Sequence, residues 1–315
     1  MTPPFVLLMP GQGAQAVGMG RAFYDRFDES RDIYKQANRC LGFDVTAICF
    51  DGPPEALTDT RTCQPALFTT SLAAYAAFRK VTPSGLLPRA AAGLSLGELT
   101  ALAAAEAFSL NDGFYLVKTR GEAMAECAAR NKGAMLAIIG LPPEAVEDVC
   151  RKSGAWGANY NAADQVVLSG TAEAIAKAEE LAKGMNAKRA MRLDVAGAFH
   201  CPLMQPAADA LKAALAKVRF RTPRFPVISN VTAQLVTEAA PIPELLVRQI
   251  VSPVRWEASM QGAIAAGATH FLEFPPARVL TGLLRRIDKS ATGTAIDTPE
   301  DLVKVGEALQ LTISV

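Results

Sequence analysis

A serine between small residues is the first indication of chemistry in this chain of 315 residues. Gly93, Ser95 and Gly97 have the Gly-x-Ser-x-Gly spacing of a nucleophile elbow, a sharp strand-to-helix turn that projects the serine hydroxyl into a cleft. The helix-favouring segment 97–108 follows, so Ser95 should lie at a helix N-terminus, where backbone N–H groups favour developing negative charge. The pattern predicts an acyl-transfer nucleophile; the alternative is a glycine-rich turn with a capping serine.

A serine nucleophile needs an adjacent base, and the chain has only two histidines, His200 and His270. His270 begins an apolar, strand-like run, which favours a structural role. His200 follows small residues at a predicted strand exit, where functional side chains of open α/β folds collect. We therefore predict that His200 is the base. Asp194 is the nearest acid in sequence, and a backbone carbonyl could orient the imidazole instead.

The elements that must position these residues alternate between strands and helices. Phe5–Met9 is a continuous apolar run typical of a buried parallel strand, and a glycine-rich loop follows it. This loop lacks the spacing of dinucleotide-binding and Walker-type phosphate loops, which excludes both readings. The alternation predicts an α/β fold, with a hydrolase-like, mostly parallel sheet flanked by helices. The tail after Ile287 has little pattern.

The segment 129–197 has a different order of predicted elements. Its pattern is β-α-β-β-α-β, in about the span of a ferredoxin-like unit. We predict that it forms a small domain inserted into a large catalytic α/β domain made of residues 1–128 and 198–315.

Composition excludes several functional classes. The formal net charge is +1, which gives no electrostatic basis for a nucleic-acid or membrane partner. No apolar stretch approaches the ~20 residues of a membrane span, and the N-terminus does not resemble a signal peptide. The six cysteines show no metal-ligand spacing. We therefore expect no metal, reduced thiols and a cytoplasmic location.

Several short motifs recur in one order over nearly the whole chain. They are Pro10–Gln15, Gly93–Glu98, Arg120-Gly121 with Met124, Asn159–Asn161, Gln165–Gly170, Gly197–Met204 and Ser229–Val231. Together they resemble the malonyl-CoA:acyl carrier protein transacylase family of fatty acid synthesis, which also includes acyltransferase domains of polyketide synthases.

The resemblance implies roles for the catalytic residues. Ser95 would form the acyl ester, and His200 would be the general base. The backbone N–H groups of Gln12 and Leu96 would form the oxyanion hole, in which each donor is typically worth ~3 kcal/mol. The backbone carbonyl of Gln249 would orient the histidine in place of an acid.

The same resemblance implies roles for the substrate-binding residues. Arg120 would pair with the free carboxylate of malonate, since its planar fork can make two hydrogen bonds to a carboxylate. Phe199 would leave little room for an α-methyl group, and Asn161 and Asn230 would be secondary pocket residues.

The implied reaction is ping-pong transfer of malonyl from CoA to the phosphopantetheine thiol of an acyl carrier protein. It would need no cofactor, and we expect a monomer. The basic clusters Lys188-Arg189, with Arg192, and Arg285-Arg286 could attract the acidic carrier protein or the phosphates of CoA. The alternatives are a trans-acting polyketide synthase acyltransferase, an acyl-thioester hydrolase with water as acceptor, and a catalytically silent scaffold.

The chain departs from the family pattern at two places. Leu94 precedes the nucleophile where many members have histidine. Pro275-Pro276-Ala277 stands where the family usually has a Gly-Pro-Gly-like loop. Because Leu94 is not the base, we expect activity to survive with altered packing beside the pocket.

Overall fold

The computed structural model describes residues 2–314, which form two β-sheets and the helices around them. The strands are β1 (Phe5–Met9), β2 (Ala90–Gly93), β3 (Gly133–Ile139), β4 (Trp156–Ala162), β5 (Gln165–Thr171), β6 (Arg189–Arg192), β7 (Val227–Ile228), β8 (Leu235–Val236), β9 (His270–Glu273) and β10 (Thr292–Ala295). The helices are α1 (Arg21–Arg26), α2 (Asp28–Leu41), α3 (Val45–Asp51), α4 (Pro54–Thr58), α5 (Thr60–Val81), α6 (Leu96–Ala104), α7 (Leu110–Arg130), α8 (Pro143–Ser153), α9 (Ala172–Gly184), α10 (Gln205–Leu215), α11 (Ile242–Val251), α12 (Trp256–Ala265), α13 (Leu280–Ile287) and α14 (Asp301–Leu309). Within residues 2–314, none of these helices combines the length and the hydropathy needed to cross a membrane.

The larger sheet has six strands in the order β10-β9-β1-β2-β7-β8, and only β8 runs antiparallel to its neighbour. Both of its faces are covered, as β1 shows. Phe5, Leu7 and Met9 pack into one apolar cluster, while Val6 and Leu8 pack into another. A parallel sheet needs helices on both faces, which explains why β1 is apolar throughout. This architecture confirms the predicted α/β class with a mostly parallel sheet.

The smaller sheet is antiparallel, with the strand order β4-β5-β3-β6. Its strands follow the chain order β3-α8-β4-β5-α9-β6, which is the ferredoxin-like arrangement. One face packs against α8 and α9, and the other joins the main apolar cluster through Met135, Ala137 and Val167. The boundaries of a separate domain at residues 129 and 197 stay a prediction.

The segment after Ile287 is more regular than its sequence suggested. Residues Thr292–Ala295 form β10, which pairs with β9 at the edge of the large sheet, and α14 follows. An edge strand is only partly covered, so β10 lacks the apolar run that marks β1. Leu302, Val305 and Leu309 of α14 are buried in the main cluster.

Three neighbouring strand ends bring distant segments together. β1, β2 and β7 are adjacent and parallel, so their carboxyl ends lie side by side at the same end of the sheet. The loop containing Gln12 leaves β1, Ser95 follows β2, and Asn230 follows β7. Open α/β folds bind their ligands at the carboxyl ends of the sheet strands.

Candidate active site

The nucleophile elbow is held in a conformation that few residues adopt. Ser95 has φ 55° and ψ −105°, directly before α6. A Cβ on Gly93 would lie 1.9 Å from the backbone of Gly97, and a Cβ on Gly97 would lie 2.1 Å from Met9 O, so both positions require glycine. Asn230 secures the turn, since its Oδ1 accepts from Ser95 N at 2.7 Å and its Nδ2 donates to Gly93 O at 2.7 Å.

The histidine lies next to the serine hydroxyl. His200 Nε2 is 2.8 Å from Ser95 Oγ, and His200 Nδ1 is 2.8 Å from the backbone carbonyl oxygen of Gln249. A carbonyl oxygen only accepts, so Nδ1 carries the imidazole proton and Nε2 presents a lone pair to the serine O–H. A backbone carbonyl therefore occupies the place of the acid in a Ser-His-Asp triad. Asp194 lines the cavity but is exposed.

The surroundings of His200 keep it neutral. Burial, and then the positive charge of Arg120, lower the imidazole pKa to about 4. At neutral pH the ring is therefore unprotonated and can accept the serine proton.

Arg120 is a buried cation whose hydrogen-bond acceptors are all neutral. The side chain is 1% exposed. Nη1 donates to Gln64 Oε1 at 2.7 Å, while Nη2 donates to Gln249 Oε1 at 2.9 Å and to Ser95 Oγ at 3.0 Å. Nε is buried and has no hydrogen-bond partner among the residues that the structure describes. Burial lowers the guanidinium pKa to about 10, so the group stays positive at neutral pH. The buried carboxylate of Glu98 partly opposes this lowering of the pKa, but within the described residues it makes no hydrogen bond to the guanidinium. A buried charge without a directly bonded counter-charge is costly, which favours an anionic ligand here.

These groups face one cavity of about 420 Å³. Seven residues predicted from the sequence to belong to the site line it: Gln12, Ser95, Leu96, Arg120, Asn161, Phe199 and His200. In the described part of the chain, the buried Oδ1 of Asn161 has no hydrogen-bond partner. Asn230 and Gln249 are outside the cavity lining and contact Ser95 from the protein interior.

The other histidine lies at the amino ends of the parallel strands, away from Ser95. His270 is the first residue of β9 and pairs with Phe5, the first residue of β1. Its Nδ1 is 2.9 Å from Thr269 Oγ1. It therefore cannot serve Ser95, which follows the carboxyl end of β2.

The two departures from the family pattern lie near the cavity. Leu94 lines the cavity and packs against the second apolar cluster. Pro275 O accepts from Ser71 Oγ at 2.7 Å, and Ala277 N donates to Asp297 Oδ1 at 2.8 Å, so the loop is anchored at both ends. Val279, just beyond this loop, adds to the cavity lining.

Sequence analysis missed two buried polar residues of this network. Gln64 orients Arg120, and Glu98 binds the side chain of Gln249. The available signal was a polar residue on an otherwise buried helix face, since the neighbours of both on α5 and α6 are buried. Such a signal shows that a partner exists but not which residue it is.

Comparison with known proteins agrees with this geometry. Residues 6–300 match the family described as "Acyl transferase domain". The chain is 42% identical over 300 residues to the malonyl CoA-acyl carrier protein transacylase of Bacillus subtilis, covering 94% of each protein. It superposes on the malonyl CoA-acyl carrier protein transacylase of Coxiella burnetii with a TM-score of 0.94 and 36% identity, covering 98% of each chain.

A further solved structure shows a relative together with a partner. It contains a type II PKS acyl-carrier protein in complex with its malonyl-transacylase, to which this chain is similar with a TM-score of 0.92 and 35% identity, covering 98% of this chain and 99% of that one. The match extends over nearly the full length of both chains and includes the segments that carry the elbow, the histidine and the buried arginine. The chain therefore belongs to the acyl transferase family, and within it to the malonyl CoA-acyl carrier protein transacylases.

Proposed function

We propose that the protein transfers a malonyl group from CoA to the phosphopantetheine thiol of an acyl carrier protein through a malonyl-Ser95 ester. The observation that carries this proposal is the fully buried guanidinium of Arg120, placed 3.0 Å from Ser95 Oγ with only neutral acceptors. A reacting acyl group with its own carboxylate supplies an anion that can bond directly to this guanidinium beside the nucleophile.

In the first half-reaction, Ser95 Oγ attacks the thioester carbonyl carbon while its proton passes to His200 Nε2, 2.8 Å away. The backbone N–H groups of Gln12 and Leu96 receive the oxyanion of the tetrahedral intermediate. The C–S bond then breaks, and the imidazolium returns its proton to the CoA sulfur. Gln249 O stabilises that imidazolium through Nδ1–H.

In the second half-reaction, the carrier thiol gives its proton to His200 and attacks the ester carbonyl. Collapse of the second tetrahedral intermediate breaks the bond to Ser95 Oγ, which regains its proton from the imidazolium. The two half-reactions use the same groups in reverse, as a ping-pong mechanism requires.

Phe199 is proposed to limit the acyl group. Its buried ring lines the cavity next to His200, where it restricts the volume beside the reacting carbon. We propose that it disfavours extender units with an α-methyl group.

A second cavity of about 600 Å³ provides a basic docking surface. It lies between the small sheet and α13 and is lined by five basic side chains and one carboxylate: Lys188, Arg189, Arg285, Arg286, Lys289 and Asp164. Arg286 Nη2 donates to Asp164 Oδ2 at 2.8 Å. The excess of positive charge fits an acidic carrier protein or the phosphates of CoA.

Reversing charge in this second cavity should weaken carrier-protein binding. We expect the double variant Arg285→Glu/Lys289→Glu to raise the KM for carrier protein by about tenfold or more at low salt, with a smaller effect at high salt. The two half-reactions, acylation by malonyl-CoA and transfer to carrier protein, are measured separately. The comparison shows which of the two partners binds less well to the variant. Lys212→Glu on α10, an exposed lysine that lines neither cavity, is the control. A double variant with unchanged KM in both half-reactions would contradict the docking assignment.

An acyl-thioester hydrolase would share Ser95 and His200, but it would not need a buried cation beside the nucleophile. We therefore expect malonyl-CoA plus carrier protein to yield malonylated carrier protein in large excess over free malonate. Quantifying both products by mass spectrometry checks this. Free malonate as the main product, with carrier protein present in excess, would establish hydrolysis instead.

We propose that no cofactor takes part, because a thioester is already activated for acyl transfer. Six free cysteines, four of them buried, fit a cytoplasmic enzyme. We propose that it acts as a monomer without nucleic-acid or membrane partners. Malonylated carrier protein supplies units for fatty acid synthesis, and the same chemistry would serve a trans-acting polyketide synthase acyltransferase.

A further inference from the structure

A buried carboxylate lies behind the catalytic groups and takes no part in the steps above. Glu98, three residues after the nucleophile on α6, is 2% exposed. Its Oε2 accepts from Gln249 Nε2 at 2.5 Å and from the backbone N of Asn230 at 3.3 Å. Both donors belong to residues that also contact Ser95.

The side-chain amide of Gln249 connects this carboxylate to the site. Its Nε2 donates to Glu98 and also to Ser95 O at 2.9 Å, while its Oε1 accepts from Arg120 Nη2 at 2.9 Å. An ionised carboxylate can only accept hydrogen bonds, so the NH₂ group must face Glu98 and the amide oxygen must face the arginine. The reversed amide would point an NH₂ group at a guanidinium, where donor meets donor.

Much of the remaining environment of Glu98 is apolar. A small void of about 10 Å³ beside it is lined by six apolar residues: Leu102, Val227, Val236, Ile242, Leu245 and Leu246. Burial raises the pKa of Glu98 to about 7, opposed chiefly by the hydrogen bond from Gln249. Arg120 on α7 is the charged group that acts on it, while Gln249 on α11 and Ser229 and Asn230 after β7 face it as neutral groups.

We propose that ionised Glu98 is a positioning residue, which fixes the orientation of the Gln249 amide and thereby holds Arg120 ready for the carboxylate of the substrate. This inference rests on the proposed malonyl transfer. Glu98 touches no reacting atom; it acts through Gln249 on the arginine and on the elbow carbonyl of Ser95.

Because Glu98 must be ionised for this role, malonyl transfer should depend on pH. Above the raised pKa of about 7 the carboxylate is ionised and accepts only. Below it, the neutral carboxyl loses the charge-assisted hydrogen bond from Gln249 Nε2, so it holds the amide less firmly against Arg120. Malonyl transfer should therefore decline as pH falls through about 7, well above the pKa of about 4 at which His200 protonates.

The test compares wild type with Glu98→Gln, which keeps the shape but not the charge. kcat/KM is measured for malonyl-CoA and acetyl-CoA between about pH 5.5 and 8.5. At about pH 8.5 we expect kcat/KM of the variant to be about tenfold below wild type for malonyl-CoA and less than about twofold below it for acetyl-CoA. We expect its malonyl profile to lack the step near 7 and to meet the wild-type profile at the acid end.

Glu273→Gln is the matched control, because Glu273 is also fully buried but caps the start of α13 through Leu280 N and Thr281 N. It should keep the pH step and the wild-type ratio of malonyl to acetyl transfer. A Glu98→Gln enzyme that retains the pH step, or that loses malonyl and acetyl transfer equally, would overturn the positioning role. Failure of wild type to form malonyl-enzyme would instead refute the proposed function itself.

Discussion

Replacing Ser95 by alanine is expected to abolish malonyl-enzyme formation and to lower transfer to carrier protein by about 10⁴-fold or more. The reason is geometric: the hydroxyl of Ser95 is the one that lies 2.8 Å from His200 Nε2 and 3.0 Å from Arg120 Nη2. Alanine leaves a base and a cation without a nucleophile. Intact-protein mass spectrometry after mixing with malonyl-CoA alone shows whether the adduct forms, and a carrier-protein assay gives the rate.

Ser169→Ala is a suitable control for this experiment. Ser169 is fully buried and does not line the active-site cavity, and its Oγ has no hydrogen-bond partner within residues 2–314. This variant should gain the malonyl mass as wild type does. A Ser95→Ala enzyme that still gained the mass would place the acylated nucleophile elsewhere in the chain.

Replacing Arg120 by alanine should change the choice of substrate. Removing one partner of a buried ion pair costs about 2–5 kcal/mol, so kcat/KM for malonyl-CoA should fall by ~30-fold to ~5,000-fold. An acetyl group has no carboxylate, so acetyl transfer should stay within about threefold of wild type. Parallel assays with malonyl-CoA and acetyl-CoA measure the change in ratio.

Arg120→Lys separates charge from geometry. Lysine keeps a positive charge but lacks the planar fork that makes the hydrogen bonds to Gln64, Gln249 and Ser95. We expect only partial recovery of malonyl transfer. Thermal melting of each variant checks that the fold survives. Equal losses for malonyl and acetyl in Arg120→Ala would remove this residue from the carboxylate-binding role.

Much of the fold could be predicted from local patterns. The apolar run of β1 and the elbow at Ser95 are short-range features, since burial on both faces and a sharp turn each demand particular residues within a few positions. β10 could not be predicted in this way, because its regularity comes from pairing with β9 at a sheet edge rather than from its own sequence.

The network around the arginine was beyond local reasoning. Arg120 on a helix has the pattern of a surface cation, and only packing of α7 shows that it is buried. Its partners Gln64 and Gln249 are 56 and 129 positions away. Hydrogen bonds between such distant segments leave no periodicity in the chain.

The sequence by itself determined the class of fold, the nucleophile motif and, through ordered motifs, the family resemblance, because each depends on residue types at short spacing. The tertiary structure alone decided that a serine, a histidine 105 positions later and a buried guanidinium share one hydrogen-bonded cluster. It also decided that a backbone carbonyl orients the imidazole and that a glutamate lies buried behind it. The physical reason is that the carboxyl ends of adjacent parallel strands bring segments distant in the chain together. Burial of the side chains at this place then shifts their pKa values and favours a ligand of opposite charge to the buried guanidinium.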